Sequence, residues 1–180
     1  TPLLVSFQLG LRLPKTAPLA ACYTAFSPAR ELEAWLTRAH ESRGAYDEKL
    51  DQKLRVAVIG IRARGFEVTL KTRAEASFTT EMTSIRDACS MSDLETAANK
   101  FQYELCDEYY QLDRIDPKAR YQISTISVPV FADKDTPVVC FVAGSFDQSL
   151  SGSQIEDIAT RMKESADRVT RLARGQESIA

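Results

Sequence analysis

The stretch from Tyr121 to Gly175 constrains the fold more than any other part of this sequence. Tyr121 to Phe131 is an apolar, β-branched run, Asp133-Lys134-Asp135-Thr136 is a polar turn, and Pro137 to Phe146 is a second apolar run. Two such runs joined by so short a turn read as a β-hairpin. A long helix then opens near Ser153, whose hydroxyl pairs with Glu156 in a capping box. It carries Ile155, Ile158, Met162, Val169 and Leu172 on one face as far as Gly175. A lone hairpin cannot bury an apolar face, so this helix is expected to lie across a larger antiparallel sheet.

The preceding residues supply the rest of that sheet and further helices. Leu3 to Leu9 reads as a strand ending at Gly10, and Pro14 and Pro18 bracket a loop. Leu19 to Phe26 is small and apolar throughout, which suits a short helix buried on all sides. Ser27-Pro28 is placed as N-cap and first residue of a helix whose Leu32, Trp35, Leu36 and Ala39 share one face. From Asp47 to Arg64 the positions Leu50, Leu54, Val58 and Ile61 repeat at helical spacing, with Gly65 as a left-handed terminator, and Phe66 to Leu70 alternates like a strand. Between Thr72 and Lys118 two helical stripes follow: Phe78, Met82, Ile85 and Cys89, then Leu94, Ala98, Phe101, Leu105, Tyr109 and Leu112, separated by a capping box of Ser92 with Glu95. The expected architecture is α+β: one domain over residues 1–180, an antiparallel sheet flanked by helices, a helical insertion over 72–118, and a long C-terminal helix.

Charge and cysteine usage narrow the function classes. The net charge of -2 leaves no basic surplus for neutralising phosphates, so these 180 residues are a poor nucleic-acid binder by themselves. Cys22, Cys89, Cys106 and Cys140 are far apart in sequence and each lies in an apolar segment, which fits reduced core thiols of a cytoplasmic protein. With one histidine and no clustered ligands, no metal site and no cofactor is expected. No stretch approaches a membrane span. The start at Thr1-Pro2, running straight into a strand-like segment, is read as a chain cut from something longer.

Motifs for chemistry are sparse. The glycines never fall into GxGxxG or GxxxxGK[ST] spacing, which removes nucleotide-binding enzymes of those types. A Ser-His-acid triad would need His40, but Arg38-Ala39-His40-Glu41 ends a helix, where a solvated imidazole serves the helix dipole without chemistry. Asp107-Glu108 reads as the wet face of a helix, and Arg62, Arg64 and Arg73 as helix-end charges with an anion clamp as the minor alternative. No catalytic residue is expected.

Two segments together resemble the effector-binding domain of the isocitrate lyase regulator (IclR) family of transcriptional regulators. The first runs through Gly10-Leu11-Arg12-Leu13-Pro14, Ala17-Pro18-Leu19-Ala20-Ala21, the Pro28-Ala29-Arg30-Glu31-Leu32-Glu33 helix, and Ile61-Arg62-Ala63-Arg64-Gly65-Phe66-Glu67-Val68. The second runs through Ile126-Ser127-Val128-Pro129-Val130-Phe131, Pro137-Val138-Val139, Ala143-Gly144, Leu150-Ser151 and the terminal helix. They cover residues 10–71 and 119–175, about two thirds of the 180-residue chain; the 72–118 insertion departs from the compact family pattern.

The resemblance implies a GAF-like sheet domain that binds a small metabolite and acts allosterically on operator binding through an N-terminal winged helix-turn-helix, which this chain lacks. DNA contact would come only through that missing domain, and the assembly would be a homodimer or homotetramer. The family's pocket maps onto Leu19, Ala20, Thr69, Thr125, Phe141 and Ala143, and strand parity adds Ser127 beside Thr125. Members that recognise small carboxylates place serines where Phe141 and Ala143 stand and a cysteine where Thr125 stands. The expected effector is therefore larger, more apolar or aromatic. The competing readings are a stand-alone ligand-binding or oligomerisation module and a small hydrolase-like enzyme.

Overall fold

The computed structural model describes residues 13–84, 90–131 and 136–174. The expected Leu3–Leu9 strand, Ile85 and Cys89 of the first insertion stripe, Asp133-Lys134-Asp135 of the turn, and Gly175 lie outside the described residues. The fold is α+β. Among the described residues its main sheet has three antiparallel strands in the order β1 (Glu67–Leu70), β3 (Ile123–Phe131), β4 (Pro137–Gly144). A two-stranded pair, β2 (Arg120–Tyr121) with β5 (Leu150–Ser151), sits apart from it.

The hairpin register decides which side chains share a face. Thr125 pairs with Gly144, Ser127 with Val142, Val128 with Phe141, and Pro129 with Cys140. On β1, Glu67 pairs with Ser127 and Thr69 with Thr125. Because residues alternate along a strand, one face carries Val68, Ile126, Val128, Val130, Phe141 and Ala143. The other carries Glu67, Thr69, Thr125, Ser127, Cys140, Val142 and Gly144.

The first face takes α6 (Gly152–Ala173), as the terminal-helix pattern requires. Ile155, Ala159 and Ala166 are buried against Val68, Ile126, Val128 and Val130, with Ile158 and Met162 packed at the margin. Burying Ile126 and Ile155 completely contributes roughly 2 kcal/mol each from apolar area alone. Val169, assigned to the same stripe, is 40% exposed; the residue facing the sheet there is Thr170, whose hydroxyl accepts from Phe131 N at 3.2 Å. The helix begins earlier than expected: its capping box is Ser151 with Gln154, not Ser153 with Glu156. Ser153 instead donates its hydroxyl to Pro117 O at 3.1 Å.

The second face is covered by α1 (Ala21–Ala25) and by the approach to it. The small apolar segment forms only this single turn, because Ala20 sits at φ 60° and breaks the helix on its N-terminal side. Behind it, α2 (Ala29–Arg43) and α3 (Glu48–Arg64) bury Trp35, Leu36, Leu54, Val58 and Ile61 with Ala21 and Ala25. The N-cap of α2 is Pro28; Ser27 turns its hydroxyl back to Tyr23 O and caps nothing. Gly65, at φ 82°, ends α3 as the sequence indicates.

The insertion is a pair of helices, α4 (Arg73–Ser84) and α5 (Met91–Cys106), stacked through Phe78 and Phe101 with ring centroids 4.7 Å apart. The cap of α5 is again two residues ahead of the expected one, Ser90 with Asp93. The helix stops at Cys106, so Tyr109 and Leu112 do not continue its stripe: Tyr109 is 60% exposed, while Tyr110 and Leu112 are buried. The chain there lies alongside β1, with Leu70 N donating to Tyr110 O at 2.6 Å and Leu112 N to Val68 O at 3.5 Å. No helix among the described residues is long and apolar enough to cross a membrane.

Candidate functional site

The polar face of the sheet is not fully covered, and the uncovered part forms the floor of a cleft of about 670 Å³. Glu67, Thr69, Ser124, Thr125, Val142 and Gly144 supply that floor. One wall is the approach to α1, with Leu13, Pro18, Leu19 and Ala20. The helical insertion supplies the other, through Thr72 ahead of α4, Glu75, Phe78 and Thr79 of α4, Phe101 and Leu105 of α5, and Tyr110 after it.

The α1 wall is held by three side chains acting on three successive carbonyls. The Gln102 amide donates to Ala17 O, Tyr110 Oη donates to Pro18 O at 2.7 Å, and Trp35 Nε1 donates to Leu19 O at 2.6 Å. Those donors come from α5, the strand-like segment after it, and α2, so the wall is clamped from both sides. The α4 wall is held by Glu108, whose carboxylate accepts from Arg73 N at 3.1 Å and Ala74 N at 2.8 Å. A carboxylate from elsewhere in the chain thus caps α4 and complements its dipole.

The polar groups of the cleft are largely satisfied by one another. Thr69 and Thr125 hydroxyls lie 2.7 Å apart, Ser124 Oγ donates to Glu75 Oε1 at 2.5 Å, and Lys71 Nζ donates to Phe146 O at 2.6 Å. Glu67 is the exception in kind, a carboxyl with only 7% of its surface exposed. Burial pushes its pKa up, opposed by hydrogen bonds from Gln111 Nε2 at 2.6 Å and Cys22 N at 3.0 Å and by the charge of Arg64. Burial likewise raises the Tyr110 phenol. What remains for a ligand is a mostly apolar enclosure with hydroxyls at its base, the usual character of a small-molecule site.

Four of the expected site residues, Leu19, Ala20, Thr69 and Thr125, come together in this cleft. Ser127 is on the same sheet face but lies beneath α1, where it is 8% exposed and its carbonyl accepts from the Cys22 thiol at 3.4 Å. Phe141 and Ala143 do not reach the cleft. The register turns them to the opposite face, and Phe141 packs into the core beneath α6. Their places are taken by Val142 and Gly144. The insertion wall is not among the residues expected from the sequence, although Phe78, Phe101 and Leu105 stand on its helical stripes.

His40 corrects the expectation of a solvated imidazole. Its side chain is 12% exposed and joins α2 to α3, with Nε2 3.2 Å from Asp51 Oδ1 and Nδ1 accepting from Asp47 N at 3.3 Å. Arg62 donates to Ala25 O at 2.6 Å and Ser27 O at 3.3 Å, and Arg64 donates to Asp113 O at 2.9 Å, so these two guanidinium groups bind carbonyls and do not converge. Asp107 pairs with Arg43 at 3.0 Å. Among the described residues no three His, Cys, Asp or Glu side chains are grouped to hold a metal ion. Comparison with family models, with curated proteins and with solved structures finds no match to the chain.

Proposed function

We propose that the chain is the effector-sensing part of a cytoplasmic IclR-type transcriptional regulator, with the cleft as its ligand site. The observation that carries this reading is the enclosure itself: the small-residue segment, the sheet and the helical insertion meet around about 670 Å³ of space, within the range of small-molecule sites. The resemblance supplies the regulator. Leu19, Ala20, Thr69 and Thr125, assigned through it, all border the space.

The effector is apolar or aromatic. Phe78, Phe101, Leu105, Tyr110, Leu19 and Val142 line the cleft. Among the lining residues its one lysine, Lys71, is accompanied by the carboxyl side chains Glu67 and Glu75, a poor setting for a small oxo-acid. Binding would bias two arrangements of a homodimer or homotetramer, and so the spacing of DNA-reading domains attached upstream. Exposed Val138 and Val139 on β4, outside the cleft, support self-association.

A thermal-shift panel tests the ligand class. Stabilisation by indoles or benzoates, with none from pyruvate or glyoxylate, is the expected result. Stabilisation by the oxo-acids alone contradicts it. Extending the reading frame upstream of Thr1 tests the regulator: a winged helix-turn-helix is expected there, and its absence rejects this reading.

A further inference from the structure

The polar sheet face holds a second feature that the cleft does not use. Cys22 is in α1 and Cys140 is in β4, 118 positions later in the sequence, yet α1 packs on β3 and β4 and makes the two thiols neighbours that interact. The register explains the meeting. Cys22 Sγ lies 3.4 Å from Ser127 O, and Cys140, opposite Pro129, is the next position of that face along the hairpin. Cys22 is further fixed by its backbone N–H, which donates to Glu67 Oε2 at 3.0 Å.

We propose that Cys22 and Cys140 form a reversible disulfide switch, oxidised by a peroxide, that ties α1 to β4. The two sulfurs are unequal in the way such a switch needs. Cys140 is partly exposed on β4, whose outer edge is unpaired among the described residues, whereas Cys22 is 2% exposed. The neighbouring Cys22 lowers the Cys140 thiol from its ordinary pKa, while Cys140 and burial raise that of Cys22, in keeping with the exposures of the two sulfurs. Cys140 is thus the thiolate that meets the oxidant and Cys22 the resolving thiol. Cys106 is placed differently: its sulfur contacts Ala17 O at 3.8 Å and Gln102 O at 3.5 Å, and burial raises its pKa.

The chemistry balances with hydrogen peroxide as the oxidant. The Cys140 thiolate attacks one peroxide oxygen, forming S–O and breaking O–O, and the departing hydroxide takes up a proton to become water. Cys22 sulfur then attacks Cys140 sulfur, forming S–S and breaking S–O, and its own proton leaves with the hydroxyl as a second water. Two electrons pass from the dithiol to the peroxide. The cross-link would fasten α1, which begins directly after Leu19 and Ala20 of one cleft wall, to the strand carrying Val142 and Gly144 of the floor. Oxidation would thereby fix the distance between them.

The test is a non-reducing peptide map of the 180-residue chain after stepwise addition of hydrogen peroxide. The expected first product is a peptide pair joining Cys22 to Cys140, lost on treatment with a thiol reductant. In Cys22→Ser, Cys140 should stop at the sulfenic acid and be trapped by a 1,3-diketone reagent. The wild-type map needs no variant to fold, and the oxidised wild-type chain should also melt at a higher temperature than the reduced one. Peroxide consumed first at Cys106 or Cys89, a disulfide of any other pairing, or Cys140 remaining fully alkylatable would overturn the proposal.

Discussion

Replacing Gly152 by alanine should destabilise the chain, although alanine is the better helix former. Gly152 is the first residue of α6, and a Cβ there would lie 2.1 Å from Asp116 O and 2.9 Å from Ile115 Cγ2. A carbon needs about 3.3 Å from a carbonyl oxygen, so one of the two backbones must move by roughly 1 Å. Neither is free to do so. Asp116 O accepts from Ala119 N at 3.2 Å, and Ala119 O accepts from Gly152 N at 3.0 Å. Overpacking of this kind costs about 1–3 kcal/mol, and losing one of those hydrogen bonds about 1 kcal/mol more. The intrinsic gain of alanine over glycine offsets at most about 1 kcal/mol. The net loss is about 2 kcal/mol, which for a chain of this size lowers the melting temperature by roughly 4–8 °C. Thermal unfolding followed by circular dichroism reads this directly. A G152A variant melting at or above the wild-type temperature would refute the close approach, since propensity alone predicts a gain.

Two further substitutions probe the site's supports. Glu67 has a carboxyl pKa raised above the usual 4.5, so its neutral form is favoured in the folded state and folding is penalised as pH rises through and beyond that value. Glu67→Gln removes the penalty: its urea midpoint relative to wild type should be higher at pH 7 than at pH 4, and a pH-independent difference would contradict the assignment. Glu108→Ala removes the remote cap of α4 and should cost about 1 kcal/mol. The loss should appear in hydrogen exchange as faster opening of the first turn of α4, and unchanged protection there would show that the cap contributes nothing.

The elements legible in the sequence were those with one unambiguous period. Trp35 and Leu36 in α2, Leu54 and Ile61 in α3, and Ile155 in α6 all fall on the expected buried faces. The caps were displaced because the pattern is duplicated: Ser90 with Asp93 overlaps Ser92 with Glu95, and Ser151 with Gln154 overlaps Ser153 with Glu156. Either member of each pair satisfies the local chemistry, and the earlier one forms. The pocket error at Phe141 and Ala143 has a similar origin. Val138 to Ala143 is apolar at every position, so β4 carries no sign of which side faces the cleft. Only the pairing of Thr125 with Gly144 decides it. The end of α5 was invisible because no glycine or proline marks it and the apolar spacing continues to Leu112. The meeting of Cys22 with Cys140 depends on register and on the seat of α1, neither of which leaves a local pattern.

Chemical-shift mapping tests the central claim most directly: amide spectra of the isotopically labelled chain recorded during titration with indole. The largest shifts are expected at Thr69, Thr125, Leu105 and Gly144, which border the cleft from the sheet and from the insertion. Shifts confined to the α6 face around Phe141 and Ala143, or no saturable shifts at the cleft residues, would contradict a ligand site between the insertion and the polar face of the sheet.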